Sequence, residues 1–226
     1  MQRIAFYDMD KTITRRATFG LFIIHVIRRY SPGRLTALPL MGFFAFLYLL
    51  GTMSRKQLKE RNLVLLVGYE PFAAKLKEMA ASFADETLDH NILAPALVQI
   101  KADRDEGYRI VLATASYRFY VGSIAERLGI ADVIATDLRA KDSSAFMAKI
   151  EGENCYGPAK LKMVQNWMQH QGYARAACHI RFYTDHVSDV PCLEWADEAF
   201  ATNAHSALDT LAEAKGWARI DWLSKG

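Results

Sequence analysis

The stretch Ile4-Ala5-Phe6-Tyr7-Asp8-Met9-Asp10-Lys11-Thr12-Ile13-Thr14 decides how the rest of the chain is read. Four apolar residues without polar alternation describe a strand covered on both faces, as in a parallel sheet. Two carboxylates follow at once, where such a strand would end. The pattern recurs at 110–113, closed by Thr114-Ala115-Ser116, and at 180–183, closed by Thr184-Asp185-His186; a weaker run lies at 133–135. Helical stretches separate these runs, one over 121–128 ending at Gly129 and one over 160–170 ending at Gly172, each glycine standing where a helix terminates. Strand and helix in alternation predict an α/β fold, a doubly wound parallel sheet.

One spacing breaks the rhythm. About a hundred residues separate the first strand from the second, far more than a crossover helix needs. The excess predicts an inserted, all-helical subdomain over 15–91, with 1–14 and 92–226 forming a Rossmann-like core. A shorter piece, 136–156, carries small and charged residues and is expected to form a hairpin or flap.

The 226 residues carry 28 Lys+Arg against 25 Asp+Glu, a formal charge of +3, and 51% are hydrophobic. That balance describes a folded protein and is too weakly basic for nucleic acid, which calls for a concentrated basic face. Three cysteines (Cys155, Cys178, Cys192) stand in no CxxC spacing, so neither a zinc site nor a disulfide framework is expected, and the compartment should be reducing. The opening residues lack an apolar core, so no secretory signal is expected and the location should be cytoplasmic.

In open α/β sheets ligands bind beyond the carboxyl ends of the strands. Asp8, Asp10 and Asp185 would then converge on one pocket. Like charges about 4 Å apart repel by roughly 4 kcal/mol at an effective dielectric near 20, so the cluster needs protons or a cation. Carboxylate oxygens suit Mg²⁺, and a magnesium-loaded aspartate pocket points to phosphoryl chemistry. Lys160, after the Gly157-Pro158 turn, supplies a second cation, and the Thr114 hydroxyl a phosphate contact. The other histidines (His25, His90, His170, His179, His205) have no ligand spacing.

Asp8-Met9-Asp10-Lys11-Thr12 resembles the DxDxT signature of the haloacid dehalogenase superfamily. Val111-Leu112-Ala113-Thr114 is similar to its second motif, Lys160 to its third, and Thr184-Asp185-His186-Val187-Ser188-Asp189 to its fourth. The long insertion resembles the helical cap of the phosphoserine-phosphatase-like branch, and the run 214–222 resembles that branch's tail. The resemblance implies that Asp8 is the nucleophile and Asp10 the general acid and base. It implies that Mg²⁺ is held by Asp8, the Asp10 carbonyl and Asp185, with Asp189 at the metal's outer sphere, orienting a water or Lys160. Lys160 would neutralise nucleophile and phosphate, while Thr114, the Ala115 amide and Ser116 would bind phosphate oxygens. Two positions depart from the pattern: Lys11 stands where glycine is common, and His186 where a small residue is. The implied activity is Mg²⁺-dependent hydrolysis of a small phosphomonoester of the phosphoserine or amino-alcohol type. Transfer of the phosphoryl group to an alcohol, and a non-catalytic binding module, are the other roles compatible with the pattern.

From residue 35 to 54 no residue is charged: LTALPLMGFFAFLYLLGTMS. Arg28, Arg29 and Arg34 precede it, and Arg55, Lys56 and Lys59 follow. The length matches a membrane span. A single crossing, however, would strand Asp8 on the far side of a bilayer from Thr114, Lys160 and Asp185, and no return span follows. Two readings remain: a helix pair broken at Pro39 or Gly42 and buried against the cap and core, or a surface that meets anionic lipid, with a lipid phosphate as substrate. The apolar stretch loosely resembles the cap of phosphatidylglycerophosphate phosphatases of this superfamily, which implies that lipid as one such substrate.

Overall fold

In the computed structural model, which describes residues 1–224, the opening run is β1 (Gln2–Tyr7). It is followed by β2 (Arg109–Tyr117), β3 (Asp132–Thr136), the short strands β4 (Leu138–Ala140) and β5 (Phe146–Ile150), and then β6 (Cys178–Thr184), β7 (Glu198–Thr202) and β8 (Ala218–Ile220). Six of them form one parallel sheet in the order β3-β2-β1-β6-β7-β8, while β4 and β5 pair antiparallel as the hairpin expected over 136–156. The chain winds outward from β1 to β3, then crosses back to β6 and winds the other way. The crevice at that reversal is where such sheets bind ligands. Tyr7 pairs with Leu112 on one side and Tyr183 on the other, so the end of β1 is level with Leu112 of β2 and Tyr183 of β6, and the residues that follow these three positions are neighbours.

The helices are α1 (Thr18–Tyr30), α2 (Leu38–Leu49), α3 (Arg55–Val67), α4 (Ala73–His90), α5 (Ala94–Asp105), α6 (Arg118–Arg127), α7 (Pro158–His170), α8 (Val190–Trp195) and α9 (Ser206–Lys215). Alternate strand residues go to opposite layers. Ala5, Tyr7, Ile110 and Leu112 join one apolar cluster with Ile100 of α5 and Val121 of α6; Ile4, Phe6, Val111 and Phe182 join another with Val164 of α7 and Leu208 of α9. Both faces of the sheet are therefore covered, which is why its strands read as unbroken apolar runs. β7 and β8 were not anticipated. β7 is five residues, β8 is three at the sheet edge, and neither has a long apolar run to announce it.

Between β1 and β2 the chain is helical, as expected. Its packing is less expected, because α4 lies along the core helix α6. Phe83 meets Tyr120 edge-on with centroids 5.6 Å apart, and Phe22 of α1 stacks on Tyr120 at 4.9 Å. Residues on both sides of the boundary drawn from sequence thus share one apolar cluster with the sheet. Truncating Phe83 to Ala is expected to cost about 3–5 kcal/mol in urea unfolding, the usual loss for a fully buried aromatic. A loss under about 1 kcal/mol would mean that α4 unfolds apart from the core.

The apolar stretch 35–54 corrects one reading. It is not a buried pair broken at Pro39 or Gly42. A turn of 3₁₀ helix (Pro32–Ala37) runs directly into α2, where Pro39 sits in the first turn and breaks nothing. Within α2 only Met41 is buried, whereas Phe43, Phe46 and Leu49 are 52%, 54% and 79% exposed. The other side of α2 rests on α3, with Phe44 under the Arg61 guanidinium at 5.2 Å.

Candidate active site

The backbone after β1 sets the site. Asp8 N–H donates to the Tyr183 carbonyl at 2.9 Å, tying the end of β1 to β6. The chain then turns sharply through Lys11, whose φ of 60° lies in the left-handed region. That conformation favours glycine, so the lysine carries a backbone penalty there. Asn203, just beyond β7, offsets it by donating to the carbonyls of Lys11 and Thr12 at 2.9 and 3.2 Å.

The end of β2 is irregular. Ala113 pairs with Ile134 and Tyr117 with Thr136, so four steps on β2 match two on β3. The surplus bows residues 114–116 out of the ladder toward Asp8 and Asp10, as β-bulges do beside sites. Ser116 Oγ donates to Asp10 Oδ2 at 2.7 Å, and Thr18 N–H and Oγ–H both donate to Asp10 Oδ1 at 2.7 Å. Three donors fix the Asp10 carboxyl. Thr114, fully buried, accepts from Ser116 N–H at 3.2 Å and lines the cavity with Ala115.

Lys160, in the first turn of α7, is 2% exposed and its ammonium donates to Asp8 Oδ1 at 2.9 Å and Asp189 Oδ2 at 2.5 Å. Burial opposes that charge, but Asp189 and Asp8 outweigh it and hold the ammonium well above the usual lysine value. Thr184 Oγ–H adds a bond to Asp189 Oδ2 at 2.8 Å, so in this structure Asp189 holds Lys160. Burial, with Asp189, Asp185 and Asp10 adding to it, pushes the Asp8 carboxyl up to about 8 against the pull of Lys160. Asp185 is likewise pushed up to about 7, by burial first, with Lys160 and Lys11 opposing. Its carboxylate is 3% exposed and accepts no hydrogen bond among the described residues; the nearest cationic candidate is His205 Nε2 at 3.6 Å.

These side chains border a cavity of about 230 Å³. Among the described residues no group of three or more His, Cys, Asp or Glu side chains has a metal-holding arrangement. A magnesium ion asks for less: one or two carboxylates suffice, with waters filling the octahedron. Asp8 and Asp185, two buried carboxylates in a group of four aspartates with Lys160 as its one buried lysine among the described residues, fit that demand. A buried carboxylate without donors is costly unless a cation faces it.

The structure brings Asp8, Asp10, Thr114, Ala115, Lys160, Asp185 and Asp189 into one crevice, whereas Ser116, expected to bind a phosphate oxygen, turns its hydroxyl to Asp10 and lines a neighbouring cavity. His186 lines the crevice too, but its Nδ1 accepts from Ser188 N–H at 3.1 Å, and burial holds its basicity below the usual histidine value. Several residues here had no sequence signal. Thr18, Asn203 and His205 reach the site only through folding. So does Lys59 of α3, 6% exposed, which donates to the Ala115 carbonyl at 2.6 Å and Asn154 Oδ1 at 2.8 Å. The start of α3 is fixed by a capping box between Ser54 and Gln57, which sets Arg55 and Lys59 one turn apart on the same side. Lys59 has no carboxylate within ion-pair distance among the described residues, and burial, reinforced by Arg55, pulls it down to about 7.

The family model described as haloacid dehalogenase-like hydrolase matches residues 5–194. A probable phosphatase of Mycobacterium tuberculosis is 27% identical over 224 residues, covering 94% of this chain and 73% of that protein. A phosphoserine phosphatase of the same organism is 26% identical over 220 residues, covering 94% and 68%. Among solved structures, a protein of unknown function from Bordetella pertussis Tohama I superposes with a TM-score of 0.88 at 26% identity, covering 99% of this chain and 100% of that one. A substrate-bound phosphoserine phosphatase shares the fold, with a TM-score of 0.63 at 17% identity over 97% and 93%.

Proposed function

The chain belongs to the haloacid dehalogenase-like hydrolases, and from that premise we propose that it is a Mg²⁺-dependent phosphomonoester hydrolase that works through an aspartyl phosphate on Asp8. The observation that carries this reading is the pair Asp8 and Asp185, buried without enough positive charge beside Lys160 at the ends of β1 and β6. Mg²⁺ held by these carboxylates and the Asp10 carbonyl would supply neutralising charge to the phosphoryl oxygens. Asp8 has one oxygen on Lys160 and the other available to attack phosphorus. As its O–P bond forms, the bond to the leaving alcohol breaks, and Asp10 gives that oxygen a proton. Asp10 then takes a proton from the water that attacks phosphorus, and the Asp8–phosphate bond breaks to release inorganic phosphate. Lys160 and the Thr114 hydroxyl steady the phosphoryl oxygens throughout.

Next to the phosphate cavity lies a second, of about 320 Å³, which shares Asp10, Arg55 and Ala115 with it. Phe19, Tyr48 and Leu58 give it apolar walls, and Arg55 and Lys59 give it cations. Asp10, already held by Thr18 and Ser116, is its one carboxylate among the described lining residues. An ammonium group would find no free anion there. This lining supports a substrate whose alcohol part is apolar or anionic, including a lipid phosphate, over an amino-alcohol phosphate.

Phosphate release with and without Mg²⁺ tests the activity, and thermal unfolding tests the site independently. With carboxyls raised to about 8 and 7, the folded metal-free protein holds protons that the unfolded chain releases near 4. Its stability from these groups is therefore present at low pH and lost as pH rises toward 8. Mg²⁺ is expected to raise the melting temperature more at pH 8 than at pH 5, where it must displace those protons. Equal or absent shifts would overturn the metal assignment.

A further inference from the structure

Helix α2 is apolar on every side, a composition that ordinarily marks a helix enclosed by protein. Here one side rests on α3 and the other has no cover. Leu35, Leu38, Phe43, Phe46, Leu49 and Leu50 are each at least 40% exposed, at helical spacings that put them along one outer flank. The helical stretch Pro32–Leu49 is 18 residues with a mean hydropathy of 1.2 and only 6% of it buried. Contiguous exposed apolar surface of this kind marks a binding surface.

Charge identifies the occupant. Between residues 15 and 61 the chain has nine Lys and Arg and a single acid, Glu60, although the whole protein is only +3. Glu60 is engaged, accepting from Ile150 N–H at 2.8 Å. Arg28 and Arg29, exposed at the end of α1, lie just before the apolar helix and have no ion-pair partner among the described residues; Arg55 and Lys56, just after it, are engaged at the substrate cavity and on the Gly152 carbonyl. A second copy of the chain would bring the same cations against themselves. An acidic lipid surface complements them, and an apolar helix flanked by cations is the form that settles at a headgroup boundary. The helix does not cross, because α3 folds back along it and returns the chain to the sheet.

We propose that the outer flank of α2 docks this protein on an anionic lipid bilayer. The second cavity has Tyr48 of α2 in its wall, so docking would open the substrate pocket beside the membrane. The docking itself does not depend on the hydrolase reading.

Flotation of the full chain with vesicles tests it. The protein is expected to float with vesicles of phosphatidylcholine and phosphatidylglycerol, to float far less with phosphatidylcholine alone, and to be released by high salt. Phe43→Ser/Phe46→Ser/Leu49→Ser, all at exposed positions, is expected to lower partitioning about tenfold or more with an unchanged melting temperature. Arg28→Glu/Arg29→Glu is expected to weaken binding to the acidic vesicles alone. No flotation at low salt, or equal flotation of the triple variant, would overturn the proposal. So would a dimer in solution that the triple variant converts to a monomer without any vesicle binding.

Discussion

Asp8→Asn is expected to lower phosphate release by at least about 10⁴-fold, because a carboxamide oxygen does not attack phosphorus at a useful rate. The fold is expected to survive. Lys160 keeps Asp189 at 2.5 Å, and the substitution removes a buried carboxyl whose proton affinity is already raised to about 8. In the metal-free variant the melting temperature at pH 8 is therefore expected to match or exceed that of the parent. Activity near that of the parent would remove Asp8 from the role of nucleophile, and unfolding would show that its charge is structural.

Lys160→Met is expected to damage both activity and stability. Without the ammonium, Asp8 and Asp189 are left buried on either side of a methionine. Breaking a buried ion pair from one side costs about 3–5 kcal/mol. That cost depends on pH. Below its raised value Asp8 carries a proton and repels Asp189 less. As pH climbs from about 4, where the unfolded carboxyls ionise, the penalty grows. Urea unfolding is expected to show a large destabilisation at pH 8 and a small one at pH 5, with turnover lowered about 10²–10³-fold through the lost charge stabilisation. The same destabilisation at both pH values would mean that packing, and not charge, is what Lys160 contributes. Arginine is not expected to substitute, since its planar fork does not fit a closed site shaped for a point charge.

Much of the fold was legible because of where the chemistry sits. Asp8, Thr114 and Asp185 each follow an apolar run, and a parallel sheet places the ends of such runs together. The strands beyond β6 were not legible: β8 is three residues of Ala218, Arg219 and Ile220, and no period can be read from three residues. The site was legible for residues adjacent to a strand and for Lys160, announced by the Gly157-Pro158 turn, and opaque for those delivered by the helices of the insertion. Lys59 is one of several basic residues in a basic segment, and nothing local distinguishes the one whose ammonium ends at the Ala115 carbonyl. Thr18 stands eight positions beyond Asp10 with no motif between them. The apolar stretch 35–54 was ambiguous for a physical reason, since composition reports how apolar a helix is and not what covers it.

The helical insertion is attached by two unlike seams. Along one, α1 and α4 meet α6 through interlocked rings around Tyr120. Along the other, residues 56–72 meet the core through polar contacts: Lys56 to the Gly152 carbonyl, Lys59 to the Ala115 carbonyl, and the Tyr69 and Pro71 carbonyls to β5. Ring packing yields only when the whole domain melts, whereas a polar seam trades its bonds for water at modest cost. The insertion is therefore not one hinged lid: α3 is also tied by Leu63 and Leu66, fully buried in the apolar cluster that holds α1, α4 and the sheet. Along the polar seam, Lys59 is the contact whose charge burial weakens, so the strength of that seam depends on pH.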